Sequence, residues 1–281
     1  MSERVIRAAG LEILTEAFGD PAHPPVLLIM GGMASMLWWP QEFCERLASH
    51  GRYVIRYDQR DTGLSTKYPP GEGPYTLDDL VDDAIRVLDG YAIPAANVVG
   101  MSLGGMIGQI AALKCPSRVL SLTAISSSPV GTDSRLPGVS AAFAQHLAAG
   151  EEVDWSDRAQ VVAYMVEDSR VLGGAARRFD EAEVRAFIEQ DYDRAGGYLS
   201  ATNHGALSVG ERWRGRLHEM RAPLLVIHGT ADPIYAVEHG LALSQAVKGA
   251  KLVRIKGGGH ELHRTDWDTI IGNIARHTSA T

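Results

Sequence analysis

The sequence predicts an α/β fold, in which a mostly parallel sheet is flanked by helices and interrupted by an inserted helical lid. In the first half of the 281-residue chain, short apolar runs alternate with amphipathic helical patterns, as expected for βαβ units. Between residues 129 and 213 the sequence has helical stretches but no convincing strand pattern. Strand patterns then resume, which places the helical block between two strands of one sheet.

Each predicted element has its own pattern. Residues 25–30 (PVLLIM) are apolar throughout, which is typical of a central parallel strand covered on both faces. The clearest helix covers residues 76–91, because its apolar residues share one face and Thr76 with Asp79 resembles a capping box. Residues 11–17 are expected to form an edge strand. The other strands are predicted at residues 53–57, 97–99, 119–125, 223–228 and 251–255, and the other helices at residues 40–50, 103–113, 181–192 and 267–277.

The length of the helical block indicates a separate structural unit. About 85 residues is too long for a simple connection between two sheet strands. We therefore predict a core domain made of residues 1–128 and 214–281. Residues 129–213 are predicted to form a helical cap, or lid, over one end of the sheet.

Composition argues against several classes of function. The chain has 27 Lys and Arg against 34 Asp and Glu and no prominent basic run, so a nucleic-acid partner is not expected. Cys44 and Cys115 lack metal-ligand spacing and are expected to be reduced. A polar N-terminus, and no apolar run of ~18 residues, predict a soluble, cytoplasmic protein. No cofactor or metal is expected, and the oligomeric state is left open.

The turn Gly100-Met101-Ser102-Leu103-Gly104 carries the candidate nucleophile. A strand that reverses sharply into a helix strains its apex residue, and small residues are needed two positions before and after it. The apex side chain is then exposed near a helix N-terminus, where developing negative charge is stabilised. The alternative is a glycine-rich turn with an incidental serine. The strand before the turn and the helix after it favour Ser102 as a nucleophile.

A serine nucleophile needs a base, and the base needs an acid that orients it. His260 follows the last strand in a glycine-rich loop and is the preferred base, because the carboxyl ends of parallel strands meet at one edge. Asp232 follows the preceding strand and is the predicted acid, although Asp-Pro is also a common turn dipeptide. His263 is the nearest rival base, with His204 and His228 behind it.

Other carboxylates are poorer candidates for the acid. In some related enzymes the acid follows an earlier strand, but that position reads Ser126-Ser127-Ser128 here. Glu238 and Glu261 are expected to be solvated.

Two backbone N–H groups are expected to bind the oxyanion that develops during attack. One belongs to Leu103, the residue after the nucleophile, and the other lies in the turn Met30-Gly31-Gly32-Met33. Gly32 is the predicted donor in that turn, with Met33 next in line. An ordinary strand-to-helix turn would use the same glycines, and the two interpretations are compatible.

Large apolar side chains near these turns are candidate pocket walls. Met33, Trp38 and Met101 suit an apolar acyl or alcohol group, but packing between sheet and lid would explain them too. Trp39 and Met36 lie close by in sequence, and the lid offers Tyr164, Met165, Tyr192 and Tyr198.

Several motifs together resemble the α/β-hydrolase family. Residues 100–104, Asp232 and residues 257–260 match its triad motifs, and residues 57–66 (YDQRDTGLST) resemble its loop after the fourth strand. In that loop Asp58, Arg60 and Ser65 are expected to lock the chain by hydrogen bonds rather than to touch substrate. The resemblance implies the α/β-hydrolase fold with an eight-stranded sheet.

A narrower resemblance is to the aclacinomycin methylesterases of anthracycline biosynthesis. It covers the predicted core domain and fades in the lid, where a polyketide would be recognised. The matching segments are residues 30–32, 54–66, 87–90, 98–104 and 232–234. It implies ester hydrolysis, with Gly32 and Leu103 as the oxyanion donors.

The sequence predicts a serine esterase that acts on a small apolar or polyketide-like ester through an acyl-enzyme. A lactonase, an amidase or a cofactor-free perhydrolase would use the same residues. Dehalogenases and epoxide hydrolases are disfavoured, because those chemistries need Asp at the position of Ser102. A non-catalytic ligand-binding protein is also disfavoured, because its usual mark would be a broken triad.

Overall fold

The computed structural model describes residues 2–131, 135–173 and 177–279. Within those ranges one eight-stranded sheet has the order β1-β2-β4-β3-β5-β6-β7-β8. The strands are β1 (Ser2–Ala8), β2 (Leu11–Phe18), β3 (Pro25–Ile29), β4 (Tyr53–Tyr57), β5 (Ala96–Met101), β6 (Val119–Ile125), β7 (Leu224–Gly229) and β8 (Lys251–Ile255). From β4 to β8 all neighbours are parallel, which confirms the predicted mostly parallel α/β fold.

The prediction of residues 11–17 as an edge strand is wrong. β2 lies between β1 and β4 and pairs antiparallel with both. β1 forms the edge instead, in a hairpin closed by Ala9 and Gly10, which both have positive φ. β1 (SERVIRA) contains three charged residues and no regular apolar alternation, so its strand pattern is weaker than that of the central strands.

Helices cover both faces of the sheet. They are α1 (Gln41–Ala48), α2 (Leu77–Gly90), α3 (Leu103–Lys114), α4 (Ala141–Gly150), α5 (Arg158–Gly173), α6 (Glu181–Ala195), α7 (Val237–Ala246) and α8 (Trp267–His277). Side chains alternate along β3, so Leu27 and Ile29 pack into one apolar cluster, while Val26 and Leu28 pack into another with α1 and α8. The capping box of Thr76 and Asp79 at the start of α2 is confirmed.

The chain between β6 and β7 forms α4, α5, α6 and three 3₁₀ turns. Its described residues include no strand. Helices α5 and α6 have an apolar cluster of their own, which includes Val162, Val166 and Ile188. Residues 132–134 and 174–176 of the predicted lid lie outside the described residues.

The parallel arrangement places the turns that follow β3, β5, β7 and β8 at one edge of the sheet. Gly32, Ser102, Asp232 and His260 lie in these turns, whereas Met101 ends β5 and Leu103 begins α3. In the described part of the chain, no helix is both long and apolar enough to cross a membrane.

Candidate active site

Ser102 is the apex of a strained turn between β5 and α3. Its φ is +52° and its ψ is −118°, a backbone conformation that costs about 1–3 kcal/mol for a residue with a side chain. The backbone packed around this turn leaves no room for larger residues. A side chain at Gly100 would collide with the Gly104 carbonyl, and one at Gly104 would collide with the Ile29 carbonyl. The Ser102 N–H donates to the Ile125 carbonyl at 2.9 Å. The turn is therefore fixed, while the serine itself stays partly exposed.

Asp232 and His260 form a buried pair. The Nδ1 of His260 lies 2.8 Å from the Oδ2 of Asp232, and both residues are less than a tenth exposed. The other oxygen of Asp232 accepts the backbone N–H groups of Ile234 and Tyr235, at 2.9 and 2.8 Å. Burial alone would raise the pKa of Asp232, but His260 and these N–H groups hold it below the usual range. The ionised carboxylate only accepts hydrogen bonds, so Nδ1 carries the imidazole proton.

The backbone of His260 is held by helix α5, which lies between β6 and β7 in the chain. Its N–H donates to the Leu172 carbonyl near the end of α5 at 2.8 Å, and the Tyr235 ring lies 5.8 Å from the imidazole. Among the described residues, no hydrogen bond joins Ser102 Oγ to His260 Nε2. Without substrate, such catalytic hydrogen bonds are often long.

The three rival histidines have other partners. His263 is partly exposed and bonds to the Thr265 hydroxyl. His228 is fully buried and bonds to the Tyr235 carbonyl at 2.7 Å, with its Nε2 3.7 Å from Asp232. His204 bonds through both ring nitrogens to backbone groups. His260 is thus the histidine at hydrogen-bonding distance from Asp232 in the described chain.

Glu261 is partly exposed and not fully solvated as predicted, whereas Glu238 is exposed as predicted. The Oε1 of Glu261 is buried, and the described residues give it no hydrogen-bond partner. Burial raises the pKa of Glu261, against the opposing charges of His263 and Arg177. The burial comes from packing against Gly173 at the end of α5, a contact that the local sequence does not reveal.

The turn after β3 lies beside Ser102. A methyl group at Gly31 would be 3.3 Å from Ser102 Cβ, and one at Gly32 would be 3.7 Å from the Leu103 side chain. Leu103 is the first residue of α3, where N–H groups have no acceptor within the helix. The Gly32 N–H likewise has no acceptor in the described part of the chain. The Met33 N–H donates to His204 Nδ1 at 3.0 Å, so it is occupied.

The loop after β4 supports this turn from below. Gln59 donates its amide N–H to the Met30 and Gly31 carbonyls, at 2.9 and 3.2 Å. Asp58 accepts the Met36 N–H at 2.8 Å. Asp58, Arg60 and Ser65 lock the loop, as predicted: Arg60 pairs with Asp83, and the Ser65 hydroxyl donates to the Asp58 carbonyl at 2.7 Å.

Helix α6 also contacts the segment that follows β3, through side chains that the sequence analysis did not identify. Asp191 is fully buried and accepts hydrogen bonds from Ser35 at 2.5 Å, Trp38 at 3.0 Å and Tyr198 at 3.0 Å. Burial raises the pKa of Asp191, and these three donors oppose the rise. One turn further along α6, Arg194 pairs with Asp58 at 2.8 Å.

The candidate pocket residues have different environments. Trp38 and Met33 are partly exposed, and the Trp38 ring meets Phe187 of α6 edge-on at 5.1 Å. Met101 is buried with the sheet, and Trp39 and Met36 are fully buried in the core. In the predicted lid, Met165 and Tyr198 belong to the apolar cluster of α5 and α6, and Tyr164 and Tyr192 pack partly buried against it.

Comparisons with known proteins identify the family of the chain. A family model for the alpha/beta hydrolase fold matches residues 24–266. The chain is 35% identical to rhodomycin D methylesterase DauP of Streptomyces sp. (strain C5) and 34% identical to rhodomycin D methylesterase DnrP of Streptomyces peucetius; each alignment covers 100% of this chain and 99% of the relative. The solved enol-lactonase of Burkholderia xenovorans LB400 matches with a TM-score of 0.77 at 21% identity, over 98% of this chain and 100% of that one, which shows the shared fold. The chain therefore belongs to the α/β-hydrolase family, as a carboxylic-ester hydrolase.

Proposed function

We propose that this hydrolase transfers the acyl group of its ester first to Ser102 and then to water. The observation that carries the proposal is the 2.8 Å pair of Asp232 and His260, at the same sheet edge as a serine with a φ of +52°. Such a constellation combines a nucleophile, a base and an acid that orients the base.

In the first half-reaction, Ser102 Oγ attacks the ester carbonyl carbon while His260 Nε2 takes the hydroxyl proton. The carbonyl oxygen becomes negative and accepts hydrogen bonds from the N–H groups of Gly32 and Leu103. The tetrahedral intermediate then collapses, the bond to the alkoxy oxygen breaks, and His260 gives its proton to that oxygen, which leaves as the alcohol. Asp232 keeps the imidazole in the tautomer with its proton on Nδ1 and stabilises the imidazolium.

In the second half-reaction, water replaces the alcohol. His260 takes a proton from water as the oxygen attacks the acyl carbon, and the same two N–H groups bind the oxyanion. As the bond between the acyl carbon and Ser102 Oγ breaks, His260 returns the proton to Oγ, which releases the carboxylic acid and restores both the serine hydroxyl and the neutral imidazole. In this scheme the chain's own residues supply every group that moves a proton.

For the substrate, we propose a methyl ester of a polycyclic, largely apolar polyketide. The relatives that match the whole chain are rhodomycin D methylesterases. Residues 129–213 would form the cap that recognises it, with Trp38, Met33 and Met101 on the pocket wall. The partly exposed Trp38, held against Phe187 and Asp191, supports a flat aromatic face near the site. Both cysteines are free, which supports the proposed cytoplasmic location.

A fluorophosphonate probe tests the catalytic assignment. We expect it to label the folded wild type at Ser102 and to leave the Ser102→Ala variant unlabelled. Ser244→Ala, a variant of a serine on α7 whose hydroxyl bonds to the Leu241 carbonyl, should still be labelled. A folded wild type that resists the probe would overturn the proposal.

A substrate panel tests the ester class. It should contain a polyketide methyl ester, short aryl esters, long acyl esters and a lactone, because a lactonase would use the same residues. We expect the methyl ester to be preferred by orders of magnitude in kcat/KM. A preference for the lactone would contradict the substrate proposal and leave the roles of Ser102, His260 and Asp232 standing.

A further inference from the structure

His204 lies outside the predicted triad, yet it touches the turn that would bind the oxyanion. It belongs to the 3₁₀ turn Ser200–Ala206, 171 residues after the group it contacts. Its Nδ1 is 3.0 Å from the Met33 N–H, and its Nε2 is 2.8 Å from the Arg60 carbonyl. A carbonyl only accepts, so Nε2 carries the ring proton and Nδ1 has the free lone pair that Met33 needs.

His204 is enclosed by buried, hydrogen-bonded neighbours. The residue is 6% exposed, and the Tyr75 ring meets the imidazole edge-on at 6.4 Å. Its neighbour Asn203 is also buried and is tied to Asp61 and to the Gly71 N–H, at 3.0 and 2.7 Å. Burial lowers the pKa of His204, which keeps the ring neutral and its acceptor available.

The two peptide planes on either side of Gly32 are each held by one side chain. The Gly31 carbonyl and the Gly32 N–H share the first plane, and Gln59 bonds to that carbonyl at 3.2 Å. The Met33 N–H belongs to the second plane, which His204 holds. Glycine has no side chain to restrict its own rotation. Met33 also has a φ of +64°, a strained value that an external partner helps to maintain.

We propose that His204 is a positioning residue for the oxyanion site: by holding the Met33 peptide, it keeps the Gly32 N–H aimed at the ester oxygen. This inference rests on the proposed function. It also explains why Gly32, and not Met33, is the donor, since the Met33 N–H is already engaged. The effect of His204 on the reaction should therefore be seen in the transition state and not in ground-state binding.

Two amide variants separate the two hydrogen bonds. In His204→Asn the side-chain oxygen can take the place of Nδ1 and accept the Met33 N–H. In His204→Gln the amide reaches toward the Arg60 carbonyl and leaves Met33 without its acceptor. His204→Ala removes both bonds, and His218→Ala is the matched control, because His218 is exposed on another 3₁₀ turn.

The measurements are kcat and KM for an aryl methyl ester and the inhibition constant of an aryl trifluoromethyl ketone. Ser102 adds to that ketone and forms a hemiketal whose oxygen occupies the oxyanion site. Loss of a whole oxyanion donor costs about 10²–10³ in kcat, so we expect His204→Ala to lose roughly 10-fold to 100-fold. KM should change little, the ketone inhibition constant should rise in parallel with the loss in kcat, and His204→Asn should outperform His204→Gln.

Wild-type kcat in His204→Ala would overturn the inference, as would a loss in KM alone or a fall in kcat with unchanged ketone affinity. If His204→Ala does not fold, the comparison of the Asn and Gln variants decides, and equal rates for the two would contradict the inference. Fluorophosphonate labelling of Ser102 keeps the two proposals apart. Failure of labelling in the wild type overturns the proposed function, whereas normal labelling with unaffected His204 variants overturns only this inference.

Discussion

The two sides of Ser102 are built differently. On the side of the proposed base (the base side), His260 and Asp232 follow β8 and β7 and meet through one 2.8 Å hydrogen bond between residues 28 positions apart. On the side of the proposed oxyanion donor (the oxyanion side), the turn after β3 is held by side chains from distant parts of the chain. His204 bonds to Met33 across 171 positions, and Asp191 bonds to Ser35 across 156. The base side thus depends on side-chain chemistry, and the oxyanion side depends on the support of backbone groups.

This difference teaches where functional groups can be recognised. A triad residue must be Ser, His or Asp, so its identity limits the candidates. An oxyanion donor is a backbone N–H, which every residue except proline has. Residue type therefore does not identify the donor, and the side chains that hold its peptide in place decide whether it can act. Substitutions should therefore affect the two sides differently, and the largest effects should come from the base side.

On the base side, substitutions are expected to lower kcat while the protein stays folded. We expect His260→Ala and Asp232→Asn to lower kcat by about 10⁴-fold or more, with the larger loss for His260, because the base and its tautomer are lost. Glu238→Gln, at an exposed carboxylate on α7, should leave kcat unchanged. Steady-state kinetics with circular dichroism as a folding check decides this. Turnover at the wild-type rate in His260→Ala would refute the assignment.

On the oxyanion side, substitution of Arg194 is expected to act mainly by lowering the free energy of unfolding. Arg194→Met leaves Asp58 fully buried without its cation, although Asp58 still accepts the Met36 and Leu64 N–H groups. Breaking a buried pair costs about 3–5 kcal/mol, and we expect a loss near the lower end. Arg185→Met is the control on the same helix, because its pair with Glu181 is exposed and should be worth less than about 1 kcal/mol.

Urea unfolding measures both free energies. The loss of kcat in Arg194→Met should stay well below that of the triad variants. Equal stability losses in the two arginine variants would mean that α6 does not support the turn through Asp58.

A smaller effect should separate the two sides by pH. Burial lowers the pKa of His204 below 6.5, so between its folded pKa and 6.5 the unfolded chain binds more protons. That contribution to stability is complete above about pH 6.5 and is lost as the pH falls. The lowered pKa of Asp232 acts in the same direction, but its contribution is lost only below about pH 4.

Melting temperatures between pH 7.5 and 5 measure this contribution. Burial also lowers the pKa of His228 and His277 and raises the pKa of Asp191 and Glu261, but these four groups are present in both the wild type and His204→Asn, so the difference between the two slopes isolates His204. The slope should be shallower in His204→Asn than in the wild type. Parallel curves for the two proteins would show that the folded state does not keep His204 neutral.

The sequence yields candidates where the proposed function requires both a residue type and a position after a strand. Ser102, Asp232 and His260 each satisfy both conditions, and the strained turn at Ser102 has the geometry expected from its glycines. Asp191 and His204 could not be found in this way. Each is an ordinary polar residue of a helical segment, and only tertiary packing brings it to the turn after β3.

The errors have similar causes. β1 was missed because a strand exposed at the sheet edge has few fixed apolar positions. The partial burial of Glu261 was not predicted, because the helix that covers it, α5, lies almost ninety positions earlier in the chain. A local sequence pattern indicates which face of a segment is apolar, but it does not indicate which distant segment packs against that face.

The most direct test of the central claim is to trap the acyl-enzyme. Rapid acid quenching during turnover of an activated aryl ester, followed by peptide mass spectrometry, should find the mass of the acyl group on Ser102. The adduct should accumulate in Asp232→Asn if deacylation slows more than acylation, and it should be absent from Ser102→Ala. Sustained turnover by Ser102→Ala, or an acyl group on another residue of a fully active enzyme, would contradict the account.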